Sequence, residues 1–143
     1  MPERQSLMEL VERLPVVLAD VLPVQREDDG AVTVPHEQTF ASLRVVTIAE
    51  GLELVSLTQV LAWDLPLTAA VRAEVAKHAQ DTLLGTVSLV EKIGAKGAGG
   101  TRKTGDVLLR YNFPAAGLTD DALRTLILMV LATGADVRRA LVA

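Results

Sequence analysis

The residues in this chain that could do chemistry are few, and the glycine-rich run from Gly94 through Lys96 to Arg102, Lys103 and Thr104 is the first to weigh. Glycines around a lysine suggest a phosphate cradle. A P-loop, however, needs a glycine directly before its lysine, so that backbone N–H groups wrap the phosphates, and a helix straight afterwards whose N-terminus faces them. Here Arg102 stands in the glycine position and the residues that follow alternate as a strand. Between Lys92 and Arg110 there are five basic residues against one acid, a local charge of +4 in a chain of net charge -4. Weak anion binding at Lys96, Arg102 and Lys103 therefore stands beside the plainer reading of a solvated hairpin loop.

The remaining candidates have structural explanations of equal or greater force. His78 has Glu74 one turn before it and Asp81 one turn after it, but those carboxylates lie ~10 Å apart along a helix axis and cannot close on one ion unaided. His36 belongs to a different element. Glu27, Asp28 and Asp29 lack the alternate spacing of a calcium loop and read as a polar turn. Asp120 and Asp121 could form an acid and base pair. Their place after Thr119 suits the first turn of a helix, where carboxylates meet the positive end of the dipole. Trp63, the only tryptophan, could anchor a ligand or a partner; the ordinary alternative is closure of the core edge. No serine stands in a nucleophile-elbow context. The absence of cysteine excludes a disulfide framework, a thiolate zinc site and a cysteine nucleophile together. The expectation is a protein without enzymatic activity, metal or cofactor.

Positioning elements are read from composition and periodicity. With 143 residues, half of them apolar and 3% aromatic, residues 1–143 make one domain whose core is built from Val, Leu, Ile and Ala. Scarce aromatics and acidic charge argue against nucleic acid, which is gripped by stacking platforms and clustered cations. The longest apolar run, Leu126 to Ala132, falls short of the ~20 residues that cross a bilayer. Met1 to Gln5 lack the pattern of a secretory signal, so no membrane association and a cytoplasmic location are expected.

Apolar spacing from Glu3 to Leu22 predicts a helix interrupted or kinked at Pro15. Strands follow at Ala31–His36, Thr39–Ile48 and Leu52–Trp63, the last two joined by a turn at Glu50–Gly51. Ala41, Leu43 and Val45 share one face of the second. The third is apolar on both faces, as a central strand should be, with Trp63 on the side of Leu57, Gln59 and Leu61. A helix entered at Pro66, capped by Thr68 or Asp64, ends near Gly85. Strands at Thr86–Val90 and Asp106–Phe113 precede a final helix capped by Thr119. Leu128, Met129 and Leu131 widen its apolar stripe so far that a second surface must cover it, either the rest of the domain or another subunit, with a homodimer favoured.

The segments Gly105 to Pro114 and Gly117 to Leu123, together with the passage from Ala62 through Trp63 and Pro66 to Val75, resemble the YbjN family. This family is also labelled bacterial sensory transduction regulator and is similar in fold to the type III secretion chaperones. The resemblance covers most of the chain from about Ala31 onward. It implies an α+β fold of order α-β-β-β-α-β-β-α, with an antiparallel sheet of about five strands packed against helices. It also implies frequent dimerisation and a chaperone-like or regulatory role exercised by protein binding, without catalytic residues. The glycine-rich connection and Pro15 depart from the family pattern. The functional expectation is a bacterial protein that binds a protein or peptide through apolar surface, with Trp63, Leu128 and Met129 as the candidate surface. The alternative is a module binding an anionic small molecule near the loop 94–104.

Overall fold

The structure, a computed structural model, describes residues 9–93 and 103–142. Helix α1 (Leu10–Ala19) leads into β1 (Gln25–Arg26), β2 (Val32–His36), β3 (Thr39–Ala49) and β4 (Leu52–Pro66). After these come α2 (Ala69–Asp81), β5 (Thr86–Ile93), β6 (Lys103–Pro114) and α3 (Asp120–Val142). The six strands form one antiparallel sheet in the order β1-β2-β3-β4-β6-β5. The fold class is thus α+β, with one more strand than expected. The addition is β1, two exposed residues that pair with Val32 and Thr33 and carry no apolar pattern of their own.

All three helices lie on one face of the sheet. Helix α3 packs on β3 and β4, α1 on β3 and α3, and α2 on β5 and α3. Between the layers lie fully buried Leu14 and Leu18 from α1, Leu43, Leu57, Leu61 and Leu109 from the strands, and Leu123, Ile127 and Leu131 from α3. Among the described residues no helix is long and apolar enough to cross a membrane.

Arginines fasten α3 at both ends. Arg13 donates to Asp120 Oδ1 at 2.6 Å and to the Leu118 carbonyl, while Arg124 reaches the Val17 carbonyl at 3.2 Å and Asp20 at 3.0 Å. At the other end Arg138 donates to the Leu61 carbonyl at 2.8 Å, and Arg139 pairs with Glu37 at 2.8 Å.

Several boundaries differ from the sequence expectation. Within the described residues α1 runs through Pro15 as one helix; the carbonyl that loses its partner belongs to Val11, an exposed residue. β4 continues past Trp63 to Pro66, so Pro66 closes a strand and does not open a helix, and Thr68 caps α2 by accepting from the Val71 N–H at 3.1 Å. Helix α2 ends at Asp81, and Gly85, at φ +88°, precedes β5. β5 and β6 run on to Ile93 and back to Lys103, making a longer hairpin than the alternation alone indicates. Thr119 caps α3 as expected, accepting from Ala122 N–H at 3.0 Å. β2 and β3 meet in a two-residue turn, Glu37 and Gln38, both left-handed at φ 46° and 69°. Such turns favour Asn-Gly, so the sequence carried no sign of it.

Candidate binding face

With every helix on one side, the other side of the sheet has no described element over it. Cross-strand register places its residues in rows, because directly opposite residues of antiparallel strands share a face. One row reads Pro35, Phe40, Val60, Leu108, Ser88 across β2, β3, β4, β6 and β5. The neighbouring row reads Thr33, Ser42, Thr58, Arg110, Thr86. The first is apolar from Pro35 to Leu108 and partly exposed, with Phe40 at 51%, and ends in Ser88 on β5. The second is a hydroxyl stripe with one guanidinium in it.

Trp63 joins the apolar row through an irregularity in β4. The register shifts between Val60 and Ala62, and Leu61 and Ala62 are both fully buried. Two consecutive residues facing the helices is the signature of a bulge, and it turns the next side chain to the opposite face. Trp63 is therefore 54% exposed on the open face, with β6 and its Asp106 between it and Val90 on β5. This overturns its expected place on the side of Leu57 and Leu61 and the core-edge reading with it. Alternation of two could not reveal the bulge, since Ala62 fits either face.

A second shift follows between Ala62 and Leu65, where Asp64 takes φ +52°. Its Oδ1 lies 2.7 Å from Lys92 Nζ, which also contacts Asp106 Oδ1 at 2.8 Å, and its N–H donates to Asp106 Oδ1 at 2.9 Å. Burial acts to raise the Asp106 carboxyl, but the Lys92 ammonium and the Asp64 N–H outweigh it and hold the group below its ordinary 3.8. The hydrogen bond to Asp106, followed by that to Asp64, raises Lys92 above its ordinary 10.5. A depressed carboxyl contributes stability above its unfolded value, and that contribution is lost as the pH falls below 3.8. Asp106→Asn is accordingly expected to flatten the acid limb of the stability curve. Urea midpoints measured from about pH 5 down to about pH 2 check this, and an unchanged slope refutes the pairing.

The other candidates do not converge. Lys96 and Arg102 lie outside the described residues. Lys103 starts β6 opposite Ile93, away from Arg110, and Lys92 is already shared by two carboxylates. Met129 is exposed on α3 and Leu128 half-buried, so they sit in the helical layer while Trp63 faces away on the far side of the sheet. The three do not form one surface. The buried stripe of α3, Leu123, Ile127, Val130 and Leu131, is covered by the chain's own sheet and helices, while Met129 beside it stays exposed.

His36 Nε2 lies 3.3 Å from Glu37 and His78 Nε2 3.2 Å from Glu74, each a local pair. No metal-binding group of side chains occurs among the described residues. Asp29 accepts from the Ala31 N–H and from Arg44, and the Arg44 bond lowers its carboxyl first of all. Asp120 and Asp121 are taken up by Arg13 and Arg124. A depression of about 310 Å³ beside Glu37, Gln38, Arg138, Arg139 and Val142 is lined by side chains already bonded to each other.

Comparison with protein-family models, with curated proteins and with solved structures finds no match to this chain.

Proposed function

We propose that this chain is a non-enzymatic, protein-binding module, chaperone-like or regulatory and cytoplasmic, whose contact surface is the open face of its sheet. The carrying observation is the row Pro35, Phe40, Val60 and Leu108 with Trp63 and Val90 beside it: contiguous, partly exposed apolar side chains on rigid strands. Contiguous apolar surface of this kind on a folded domain marks an interaction site. Aromatic anchors with few rotatable bonds suit protein contact. The groups whose protonation is shifted, Asp29, Arg72, Glu91, Lys92 and Asp106, all owe the shift to an ion-pair partner, the pattern of structural pairing more than of acid–base catalysis. The resemblance to the YbjN family is in keeping with this reading.

Panning a displayed random-peptide library against the protein, immobilised sparsely as single copies, tests it. Enriched peptides are expected to carry aliphatic and aromatic anchors and to lose at least ~10-fold in affinity for Phe40→Asp/Val60→Asp, about 1.4 kcal/mol. The reading fails if no peptide is enriched, or if the double variant, folded by circular dichroism, retains them all.

A further inference from the structure

The open face carries both signs of charge, set symmetrically about the apolar row. On β6, Arg110 and Asp106 each stand two residues from Leu108, ~6.6 Å along the strand in opposite directions. Arg110 is exposed and pairs with no carboxylate among the described residues. Among the described residues around Asp106, one ammonium serves two carboxylates, a net charge of -1, and the Asp64 side chain is 64% exposed. A cation in want of a partner and an anionic cluster in surplus thus flank a band of apolar side chains on one rigid strand.

We infer that the occupant of the open face is a second copy of this chain, laid face to face about a twofold axis that runs across the strands through Leu108. This rests on the reading of that face as the binding surface. A rotation about such an axis reverses strand direction while leaving each strand over its own counterpart. Leu108, Val60 and Phe40 then meet their equivalents, and each Arg110 lies over the other copy's Asp64, Lys92 and Asp106. Trp63 falls over Thr58 and Val90 over Thr86, so apolar groups meet threonine methyls. Stacked sheets lie ~10 Å apart, a gap that an extended arginine and a carboxylate bridge between them. Because β2 and β3 run mainly to the Arg110 side of the Leu108 row, the strands overlap across this axis over roughly thirty residues, centred on β4 and β6; at ~4.8 Å between strands and ~3.3 Å per residue that is a footprint of roughly 500 Å² per copy, about 1,000 Å² in all, the lower bound for a specific interface. An unrelated partner would have to bring an acid for Arg110 and a base for the Asp64 cluster at matched spacing. A second copy brings both by symmetry.

Light scattering and sedimentation across a concentration series measure the association, with a low-salt and a high-salt arm. The expected result is a dimer that weakens with salt and whose dissociation constant rises at least ~30-fold in Arg110→Glu, about 2 kcal/mol, because each copy then sets glutamate against the anionic cluster. The chain contains no cysteine, so single thiols report geometry independently of that variant. Leu108→Cys is expected to cross-link between copies through a short bismaleimide, while Val46→Cys, on the same face but at its far end, is not. A monomer at 100 µM overturns the inference, as does a dimer in which Leu108→Cys fails to cross-link. A monomer whose open face still selects peptides removes the twofold arrangement and leaves the proposed function standing; a monomer that selects none removes both.

Discussion

Gly134→Ala is expected to destabilise the protein by about 2–4 kcal/mol and to lower its melting temperature by roughly 10 °C, although helix propensity alone favours alanine by ~1 kcal/mol. The reason is Gln59, a central-strand amide that is 0% exposed. Its Nε2 donates to Thr39 Oγ1 at 2.8 Å and to the Leu131 carbonyl at 3.1 Å, using both N–H groups. Thr39 spends its own proton on the His36 carbonyl at 2.6 Å. The amide oxygen has no partner and rests against Gly134, where a methyl group would overlap both it and the amide carbon. Adding that methyl ejects the amide, breaks two buried hydrogen bonds and admits no water in exchange. In the double variant with Gln59→Ala the methyl enters vacated space. Neither Thr39 nor the Leu131 carbonyl is then orphaned, so the double variant should be more stable than Gly134→Ala alone. A urea double-mutant cycle reads the coupling. Additive penalties, or a stabilising Gly134→Ala, would refute the account.

Gly85→Ala is expected to cost a similar ~2–4 kcal/mol, for a different reason. Gly85 sits at φ +88°, and a Cβ there would lie 2.8 Å from Leu109 Cδ2 and 3.0 Å from the Arg110 carbonyl oxygen. Leu109 is fully buried, and Arg110 pairs with Thr86 and Thr58 on either side, so neither can withdraw cheaply. The damage should begin in β5: amide exchange at Val87 and Leu89 is expected to accelerate more than at Leu57 in the sheet centre. Equal acceleration throughout, or stability within ~0.5 kcal/mol of the parent, would show that the turn tolerates a side chain.

The element order and most burial were legible because they depend on local signals. Ala41 and Leu43 alternate with Ser42 and Arg44, and Thr68 and Thr119 cap where hydroxyls precede apolar periodicity. What escaped depends on partners distant in sequence. β1 exists only because Val32 and Thr33 offer it an edge. The Glu37–Gln38 turn adopts left-handed angles without glycine, its side chains bonded to Arg139 and Arg138 on a helix a hundred residues away. Gln59 is a polar residue on a strand whose faces are both largely apolar; its burial follows from the gap that Gly134 leaves. The three residues read as a partner surface fall on opposite sides of the sheet. Trp63 reaches the open face by virtue of a bulge, whereas Leu128 and Met129 lie in the helical layer, where Met129 stays exposed and Leu128 half-buried.

The two borders of the sheet are unequal. On the β2 side the two-residue turn makes His36 and Thr39 a bonded pair, so alternation aims Pro35, which has no N–H to offer, outward just where β1 stops. That border is blunted against further pairing. β5 has no such stop: Thr86–Ile93 is a full-length rim with Val90 and Ile93 exposed, guarded chiefly by Glu91 and Lys92. Glu91 is drawn aside by Arg72 and loses its charge at acid pH, whereas Lys92, then released from Asp64 and Asp106, keeps its own. Among the described residues that rim is where a strand of another copy could add, and a lysine at Val90 or a proline within β5 is where a formulation chemist would intervene.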